Sequence, residues 1–310
     1  MIQTVKQSIL RAVAAVSRDY LQHFPLQTGK QQLWEHAIRP YVAWRDMTFR
    51  TETQDGFLLD VNTTDIIQRY IYFFGSWEPV FTTYIKHALK PGDVFIDIGA
   101  NIGYYTILAS RLVGPSGHVF SIEASPSICA RLRHHVALNA ATNVTVINAA
   151  IYRERTELPL FRHEATNIGA TTVMADVAQR RDTEIEAIVQ AMPLAEAVPV
   201  ADVQRARLIK IDVEGAEWPV LQGIADLLPQ LSRETELVIE IDPEALRDQG
   251  SSTDEFLSLF AASGFSPYAF DKRLEVYEYR IKAFLGDFSS ELRPYASHGL
   301  DRIDVLFRRS

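Results

Sequence analysis

The feature that most constrains the fold is a short apolar run that ends in a turn containing two glycines. Residues 94–98 read Val-Phe-Ile-Asp-Ile, and Gly99-Ala-Asn-Ile-Gly103 follows them directly before a helical stretch. A nearly continuous apolar run is typical of a strand that is buried on both faces of a sheet. Because glycine has no Cβ, the backbone of such a turn can approach a ligand closely. The pattern predicts a strand, a ligand-binding turn and a helix in succession.

Similar apolar runs recur along the chain and alternate with helical stretches. Strands that alternate with helices form a parallel sheet with right-handed crossovers, so we predict an α/β fold with a doubly wound, mostly parallel, seven-stranded sheet. The predicted strands after the first are residues 118–122, 144–147, 208–211, 237–241, 268–270 and 303–308, and the helices are 104–113, 126–139, 219–228 and 254–263.

The chain is expected to form one large domain with an N-terminal extension. Residues 1–76 are predicted to be a helical and hairpin extension, and residues 77–310 the domain, with an insertion at about residues 156–200 that holds an added pair of strands. Asp55-Gly56 favours a hairpin turn in the extension, because both residues tolerate a positive φ. Helical spacing on one face predicts that an N-terminal helix packs on the core or on a second subunit through Ile2, Val5, Ile9, Val13 and Val16.

Charge and composition restrict the possible partners. The chain has 31 basic and 39 acidic residues and a net charge of −8, which disfavours a nucleic-acid partner. It has neither an apolar run of the ~20 residues that a membrane span needs nor a signal-peptide pattern. The single cysteine, Cys129, indicates a reducing, cytoplasmic location. A small-molecule or glycan partner is therefore expected, and the oligomeric state is not indicated.

The glycine turn favours S-adenosylmethionine over a dinucleotide. A dinucleotide fingerprint needs glycine at the first, third and sixth positions of the turn, but Asn101 and Tyr104 occupy the last two. Asp97 would repel a pyrophosphate and attract the ammonium group of a methionine moiety. An NAD-dependent oxidoreductase is therefore a disfavoured alternative.

Two further segments complete the predicted cofactor site. Glu123 ends the second strand, where a carboxylate can accept hydrogen bonds from both hydroxyls of a ribose. Ala149 follows the third strand and leaves room for an adenine ring. The alternative interpretation is a tight turn without a ligand, with Glu123 capping the next helix.

Acidic residues at the ends of the fourth and fifth strands are the candidate catalytic groups. Asp212, Glu214 and Glu240 should meet at one edge of the sheet, where a carboxylate could take a proton from an acceptor hydroxyl. Alternatively, Glu214 and Glu217 cap the next helix, and Lys210 pairs with a carboxylate. A divalent cation held by these carboxylates is possible but undecided. His163 in the insertion is a further candidate base.

Five motifs together carry a resemblance to a known family. They are Gly75-Ser-Trp77-Glu78-Pro79, Phe95-Ile-Asp97-Ile-Gly99-Ala-Asn101-Ile-Gly103-Tyr-Tyr-Thr106, Glu123-Ala-Ser-Pro126, Asn148-Ala-Ala150 and Ile209-Lys-Ile-Asp212-Val-Glu214-Gly215-Ala-Glu217. With these motifs, residues 57–309 resemble the FkbM family of class I, Rossmann-like methyltransferases. The resemblance implies that a methyl group passes from S-adenosylmethionine to a hydroxyl oxygen, commonly of a sugar, glycan or natural product. It also implies that Glu78 lies near the cofactor, that Asp97, Gly99, Asn101 and Gly103 hold its methionine part, and that Glu123 holds its ribose, while Asp212 and Glu214 face the acceptor.

Two other functions stay open at this point. An N-methyltransferase would need an acceptor amine in its neutral form. A non-catalytic module that binds the cofactor would keep the glycine turn without turnover, and the acidic pair Asp212 and Glu214 argues against it.

Overall fold

The computed structural model describes residues 2–25, 28–162, 171–180, 183–270, 277–286, 291–296 and 302–309 of the 310-residue chain. The helices are α1 Ile2–His23, α2 Lys30–Leu33, α3 Ile66–Phe74, α4 Pro79–Ala88, α5 Tyr104–Val113, α6 Pro126–Leu138, α7 Ala175–Arg180, α8 Leu194–Ala197, α9 Val200–Arg205, α10 Glu217–Ile224, α11 Pro243–Asp248, α12 Thr253–Ala262 and α13 Tyr277–Phe284, with a π-helix at Trp34–Ala43 and a 3₁₀ turn at Leu228–Gln230. The strands are β1 Thr48–Glu52, β2 Leu58–Asn62, β3 Val94–Ile98, β4 His118–Ile122, β5 Val144–Ile147, β6 Ala150–Ile151, β7 Thr156–Arg162, β8 Thr171–Thr172, β9 Glu184–Met192, β10 Leu208–Ile211, β11 Glu236–Ile241, β12 Phe265–Ala269, β13 Arg293–Pro294 and β14 Ile303–Arg309.

The chain divides into two compact units, each of which has its own core. The first unit contains Met1–Thr83 and α13, and the second contains Tyr84–Glu164, Ile168–Asp271 and Glu291–Ser310. No helix in the described ranges combines the length and the apolar character that crossing a bilayer requires.

The first unit contains the predicted hairpin and a helix with well-defined ends. β1 and β2 pair antiparallel around the turn at Gly56, which has a φ of 76°. Asp65 caps α3 by accepting a hydrogen bond from the backbone N–H of Gln68 at 2.9 Å, and Gly75 ends the helix in the left-handed conformation. Residues 70–74 of α3 are buried.

The prediction that the apolar stripe of α1 packs on the core is wrong at Ile9, Val13 and Val16, and the side chains of Ile2 and Val5 lie outside the described residues. Ile9, Val13 and Val16 are 56%, 43% and 71% exposed, whereas Ala14 and Leu21 are buried. Residues seven apart lie on the same side of a helix, so the face that α1 buries is the one with the small Ala14, and the apolar stripe faces outward. Packing of this stripe on a second subunit stays a prediction.

The second unit is built on a doubly wound sheet. Its strands lie in the order β13-β12-β14-β11-β10-β3-β4-β5, in which β11, β10, β3, β4 and β5 are parallel and β14 is antiparallel to both of its neighbours. This confirms the predicted mostly parallel sheet, although the described residues form eight strands rather than seven because the two-residue β13 is added at one edge. Burial of the branched side chains of β3 on both faces stabilises the fold by about 1.5–3 kcal/mol each.

The insertion forms a second, smaller sheet. Its strands lie in the order β6-β9-β7-β8, and β7 pairs antiparallel with β9 as predicted. The sheet begins at Ala150, earlier than the predicted start of the insertion. Leu160, Val189 and Ala191 form its core, and Ala124, which directly follows β4, packs against them. The small sheet therefore packs beside the end of a central strand.

Candidate active site

The glycine turn after β3 holds three residues in the left-handed conformation. Gly99, Asn101 and Gly103 have φ values of 79°, 51° and 93°. Asn101 tolerates this conformation better than most side chains, and its Oδ1 accepts a hydrogen bond from the backbone N–H of Ile102 at 2.7 Å. The sequence Gly-Ala-Asn-Ile-Gly thus supplies the residue types that a turn of this shape needs.

Neither glycine has room for a side chain. A Cβ on Gly99 would lie 1.8 Å from the backbone oxygen of Asp212, and a Cβ on Gly103 would lie 2.5 Å from Cδ1 of Leu132 in α6. The backbone N–H of Asp212 also donates to the Ile98 oxygen at 3.1 Å. The turn is therefore packed directly against the end of β10, which brings the predicted cofactor turn and the predicted catalytic segment together.

Glu123 is oriented by backbone groups on both sides. It is buried, and its Oε2 accepts from the N–H of Asn101 at 2.9 Å while its Oε1 accepts from the N–H of Ser125 at 2.8 Å. Burial raises the pKa of Glu123 to about 7, although these two hydrogen bonds oppose the increase. Each carboxylate oxygen can accept a second hydrogen bond, so the side chain is able to bind two ligand hydroxyls.

The segment after β5 lies beside Glu123. The side-chain amide of Asn148 donates to the backbone oxygens of Glu123 and Ala124 at 2.8 and 3.0 Å. Ala149 is buried. The predicted adenine-binding segment and the predicted ribose-binding residue are therefore held together by Asn148, whose role as a tether the sequence did not indicate.

Asp97 lies in the middle of a polar row that crosses three strands. It is paired in register with Lys210 on β10 and Ser121 on β4, and its Oδ2 accepts from the Thr106 hydroxyl at 2.8 Å. Burial raises the pKa of Asp97, and Lys210 and Thr106 oppose this. Its other oxygen, Oδ1, is buried and has no hydrogen-bond partner among the described residues.

The acidic residues predicted to converge do meet at the carboxyl ends of β10 and β11. Arg302 joins them, because its Nη2 binds Glu240 and lies 2.9 Å from Oε2 of Glu214. The Nζ of Lys210 lies 2.9 Å from Oδ2 of Asp212, as the alternative interpretation of Lys210 expected. The side chain of Asp212 is 38% exposed, whereas that of Lys210 is buried. The cluster therefore has one accessible carboxylate, that of Asp212, and two cations: Lys210, which pairs with Asp212, and Arg302, which pairs with Glu214 and Glu240.

The carboxyl groups of this cluster differ in their affinity for protons. Burial would disfavour the charged form of Asp212, but Lys210, Arg302 and a hydrogen bond from Glu240 hold its pKa below the usual value. Burial and the nearby charge of Asp212 raise the pKa of Glu240 well above the usual value. Asp212 is therefore the member of the pair that loses its proton more readily, and its surroundings favour the protonated form of Glu240.

Glu217 acts on the backbone of the turn rather than in the cluster. Its Oε1 accepts from the N–H groups of Val213 and Gly215 at 3.0 and 3.3 Å. Both donors precede α10, so Glu217 holds the turn before the helix and does not cap the helix as the alternative interpretation expected. Burial raises the pKa of Glu217 to about 7. Glu214 also differs from that expectation, because it pairs with Arg302 and has a φ of 56°, a left-handed conformation that a glutamate rarely adopts.

Sequence reasoning missed Arg302. It precedes β14 and lies 88 positions from Glu214, in a stretch without a recognisable motif. The only usable signal is topological: a last strand paired with β11 places its preceding residues next to the end of β11. Two carboxylates that need a counter-ion then indicate a nearby cation.

A family model described as the methyltransferase FkbM domain matches residues 97–267, more than half of the chain. The chain belongs to the FkbM methyltransferase family. It is therefore an S-adenosylmethionine-dependent methyltransferase.

Individual relatives share between 12% and 35% of their residues with this FkbM-family methyltransferase over the matched regions. The 31-O-demethyl-FK506 methyltransferase FkbM of Streptomyces tacrolimicus is 28% identical over 220 residues, which cover 62% of this chain and 82% of the relative. A protein-L-isoaspartate O-methyltransferase of Ignicoccus hospitalis is 35% identical over 71 residues, and the chain spans only 34% of its length. Among solved structures, a TehB-like methyltransferase of Corynebacterium glutamicum matches with a TM-score of 0.41 and 12% identity, covering 78% of this chain and 94% of that chain.

The described residues fit the cofactor that the family implies. The buried, unpartnered Oδ1 of Asp97 is an acceptor that lacks a donor, and a ligand ammonium group is a donor of the complementary charge. The two carboxylate oxygens of Glu123 match the paired hydroxyls of a ribose.

Three predicted features of the site fall outside these contacts. Glu78 belongs to the first unit, where it has a φ of 39°, and its proximity to the cofactor stays a prediction. His163 lies outside the described residues. Within the described ranges, no group of three or more His, Cys, Asp or Glu side chains is arranged to hold a metal ion.

Proposed function

We propose that this FkbM-family methyltransferase transfers the methyl group to a hydroxyl oxygen of a sugar, glycan or natural-product small molecule. The observation that carries the proposal is the position of Asp212. It is an accessible carboxylate that Lys210 and Arg302 keep ionised, at the end of β10 and against the glycine turn. Such a group can accept the proton that a hydroxyl loses on methylation.

S-adenosylmethionine supplies an electrophilic methyl group whose bond to the sulfonium sulfur breaks as the sulfur takes the electron pair. Transfer would require the acceptor oxygen to be held in line with this methyl group, so positioning of the acceptor would supply much of the rate. Asp212 orients the acceptor by accepting a hydrogen bond from its hydroxyl.

The low pKa of Asp212 suits this role. An alcohol oxygen becomes strongly acidic as its bond to the methyl carbon forms, so a weak base is sufficient to take the proton at that stage. A strong base would itself be protonated at neutral pH and would be unable to accept it. The proton then leaves Asp212 for solvent through the exposed part of its side chain.

Glu240 and Glu214 support Asp212 in different ways. The raised pKa of Glu240 favours its protonated form, which can donate a hydrogen bond to Asp212 and stabilise that carboxylate. Glu214 is proposed to face the acceptor, and Arg302 holds its carboxylate. Arg302 thus fixes two of the three carboxylates in one arrangement.

The cofactor assignments are part of the same proposal. Asp97, Gly99, Asn101 and Gly103 hold the methionine portion. Glu123 binds the ribose hydroxyls, and Ala149 lies against the adenine. The methyltransferase domain is proposed to run from residue 77 to residue 310, with residues 1–76 as an extension.

The O-methylation part of the proposal is supported by the relative with the longest match given above, whose name describes it as a 31-O-demethyl-FK506 methyltransferase. It is also supported by the chemistry of Asp212, because a neutral amine needs no base before it attacks. A panel that compares hydroxyl and amino acceptors on the same carbon skeletons separates O-methylation from N-methylation.

The decisive experiment compares Asp212→Asn with Asp226→Asn, a surface change in the same unit. Radiolabelled methyl transfer to a panel of sugars, glycosides and polyketide alcohols is measured together with calorimetric binding of S-adenosylhomocysteine. We expect Asp212→Asn to lower kcat by at least about a hundredfold, the usual contribution of a general base, while the dissociation constant changes by less than about twofold. Full turnover in Asp212→Asn would refute the role of Asp212.

A further inference from the structure

The insertion sheet contains a β-bulge at Glu186. Leu160 on β7 is paired with Ala187 on β9, but the next residue, Phe161, is paired with Ile185, so Glu186 is an extra residue in β9. In a regular strand, Glu186 would share the exposed face of Ile188, two residues further on. A bulge turns a side chain away from that alternation, and bulges are frequent beside active sites for this reason.

The bulge brings the Glu186 carboxylate to the start of α6. Its Oε1 accepts hydrogen bonds from the hydroxyls of Ser125 and Ser127 at 2.7 and 2.6 Å. Ser125 also donates its backbone N–H to Glu123, so one residue joins the two carboxylates. The charge of Glu186 contributes to the raised pKa of Glu123, as expected for groups this close.

The second oxygen of Glu186 has no such partner. Oε2 is buried and makes no hydrogen bond to any of the described residues. A buried acceptor without a donor costs about 1–3 kcal/mol, so its retention next to a ligand site indicates that a ligand donor satisfies it. Two serine hydroxyls hold the carboxylate with this oxygen free, which is how a binding group is positioned in advance.

The hydrogen-bond donors of the cofactor are few. They are the ammonium group, the two ribose hydroxyls and the amino group on C6 of adenine. In the proposed function, Asp97 and Glu123 account for the ammonium group and the hydroxyls. Only the adenine amino group is left without an acceptor, and Ala149 beside it has no polar side chain.

We infer that Glu186 is an additional cofactor-binding residue, whose free carboxylate oxygen accepts a hydrogen bond from the adenine amino group and makes the site selective for adenine. This inference rests on the proposed assignment of Glu123 to the ribose. It also gives the insertion sheet a function in cofactor recognition.

The test compares three ligands by calorimetry: S-adenosylhomocysteine, its N6,N6-dimethyl derivative and S-inosylhomocysteine. The second lacks the donor hydrogens, and the third presents an oxygen in place of the amino group. We expect wild-type protein to bind the first ligand at least about tenfold more tightly than either of the others, because a site built around an N–H group discriminates against analogues that lack it.

The variant Glu186→Gln assigns this preference to a residue. Its amide can donate as well as accept, so we expect the preference over S-inosylhomocysteine to fall by about tenfold or more. Glu184→Gln, an exposed change on the same strand, should retain the wild-type preference. Ser127→Ala, which removes one of the two anchoring hydroxyls, should show an intermediate loss.

The outcomes of this ligand comparison can be distinguished from those of the methyl-transfer experiment with Asp212→Asn. Equal binding of all three ligands by wild-type protein overturns the inference, and this result needs no variant to fold. An unchanged preference in Glu186→Gln, or an equal loss for every ligand, also overturns it. Failure of S-adenosylhomocysteine to bind at all removes the cofactor site itself, whereas tight binding without any effect of Asp212→Asn contradicts only the catalytic proposal.

Discussion

Replacement of Gly99 by alanine tests whether the cofactor turn and the catalytic segment form one packed unit. The added Cβ would lie 1.8 Å from the Asp212 oxygen, a backbone atom that no side-chain rotation can move. Either the turn or the end of β10 must shift. Gly250→Ala is the matched control, because Gly250 has a similar φ of 73° and nothing within 4 Å of the added Cβ.

The expected difference in the free energy of unfolding between the two variants follows from three contributions. Both variants place alanine in the left-handed conformation, which costs about 1–2 kcal/mol. Gly99→Ala also overpacks a buried contact, at about 1–3 kcal/mol, and strains the hydrogen bonds that Gly99 and Asp212 donate to Ile122 and Ile98, each worth about 1 kcal/mol. We therefore expect Gly99→Ala to lower the free energy of unfolding by about 2–5 kcal/mol more than Gly250→Ala does.

Urea denaturation gives the free energies of unfolding, and calorimetry with S-adenosylhomocysteine gives the binding. Gly99→Ala should lose most of its affinity under conditions where it remains folded, and Gly250→Ala should retain it. If the two variants differ by less than about 0.5 kcal/mol in stability and bind equally well, the close packing of the turn on Asp212 is refuted.

Three further predictions concern charge and tethering. Because burial raises the pKa of Glu123 to about 7, its contribution to stability is present at low pH and is lost as the pH rises through 7. The affinity for S-adenosylhomocysteine should instead increase about tenfold from pH 6 to pH 8, as Glu123 becomes charged. Glu123→Gln should remove both trends, the first measured by denaturation and the second by calorimetry. Arg302→Ala should lower stability by about 2–4 kcal/mol and reduce kcat more than it weakens cofactor binding, whereas Arg205→Ala, which breaks an exposed pair, should cost less than about 1 kcal/mol. Asn148→Ala should weaken S-adenosylhomocysteine binding by about tenfold or more, since two hydrogen bonds to the Glu123 segment are lost, and unaltered affinity would contradict the tethering role.

The parallel part of the fold could be predicted because strands that are buried on both faces have nearly continuous apolar sequences. The bounds of β3, β4, β5 and β10 agree with the predicted ranges, and Gly99 and Gly103 mark a turn that only glycine can make. The convergence of Asp212 and Glu240 followed from topology alone, since adjacent parallel strands end at the same edge of a sheet.

The failures share a cause, which is dependence on contacts between distant parts of the chain. The apolar stripe of α1 has helical spacing, but periodicity cannot show which face a helix buries when a small residue such as Ala14 allows closer packing. Arg302 and Glu186 act through partners 88 and 61 positions away, and neither belongs to a local motif. Sequence patterns locate elements and their ends, whereas the counter-ions and bulges that complete a site depend on the assembled fold.

The cations of the acidic cluster bear on the rate as well as on stability. In the proposed reaction, the sulfonium charge disappears as the methyl group leaves, so a strongly negative site would stabilise the bound cofactor more than the transition state and would slow the transfer. Lys210 and Arg302 offset much of the charge of Asp212 and Glu214, and the raised pKa of Glu240 favours its neutral form. The arrangement keeps one ionised, accessible oxygen for the acceptor proton without surrounding the sulfonium with excess negative charge. This explains why a site built from several carboxylates needs a buried lysine and an arginine that directly precedes the last strand.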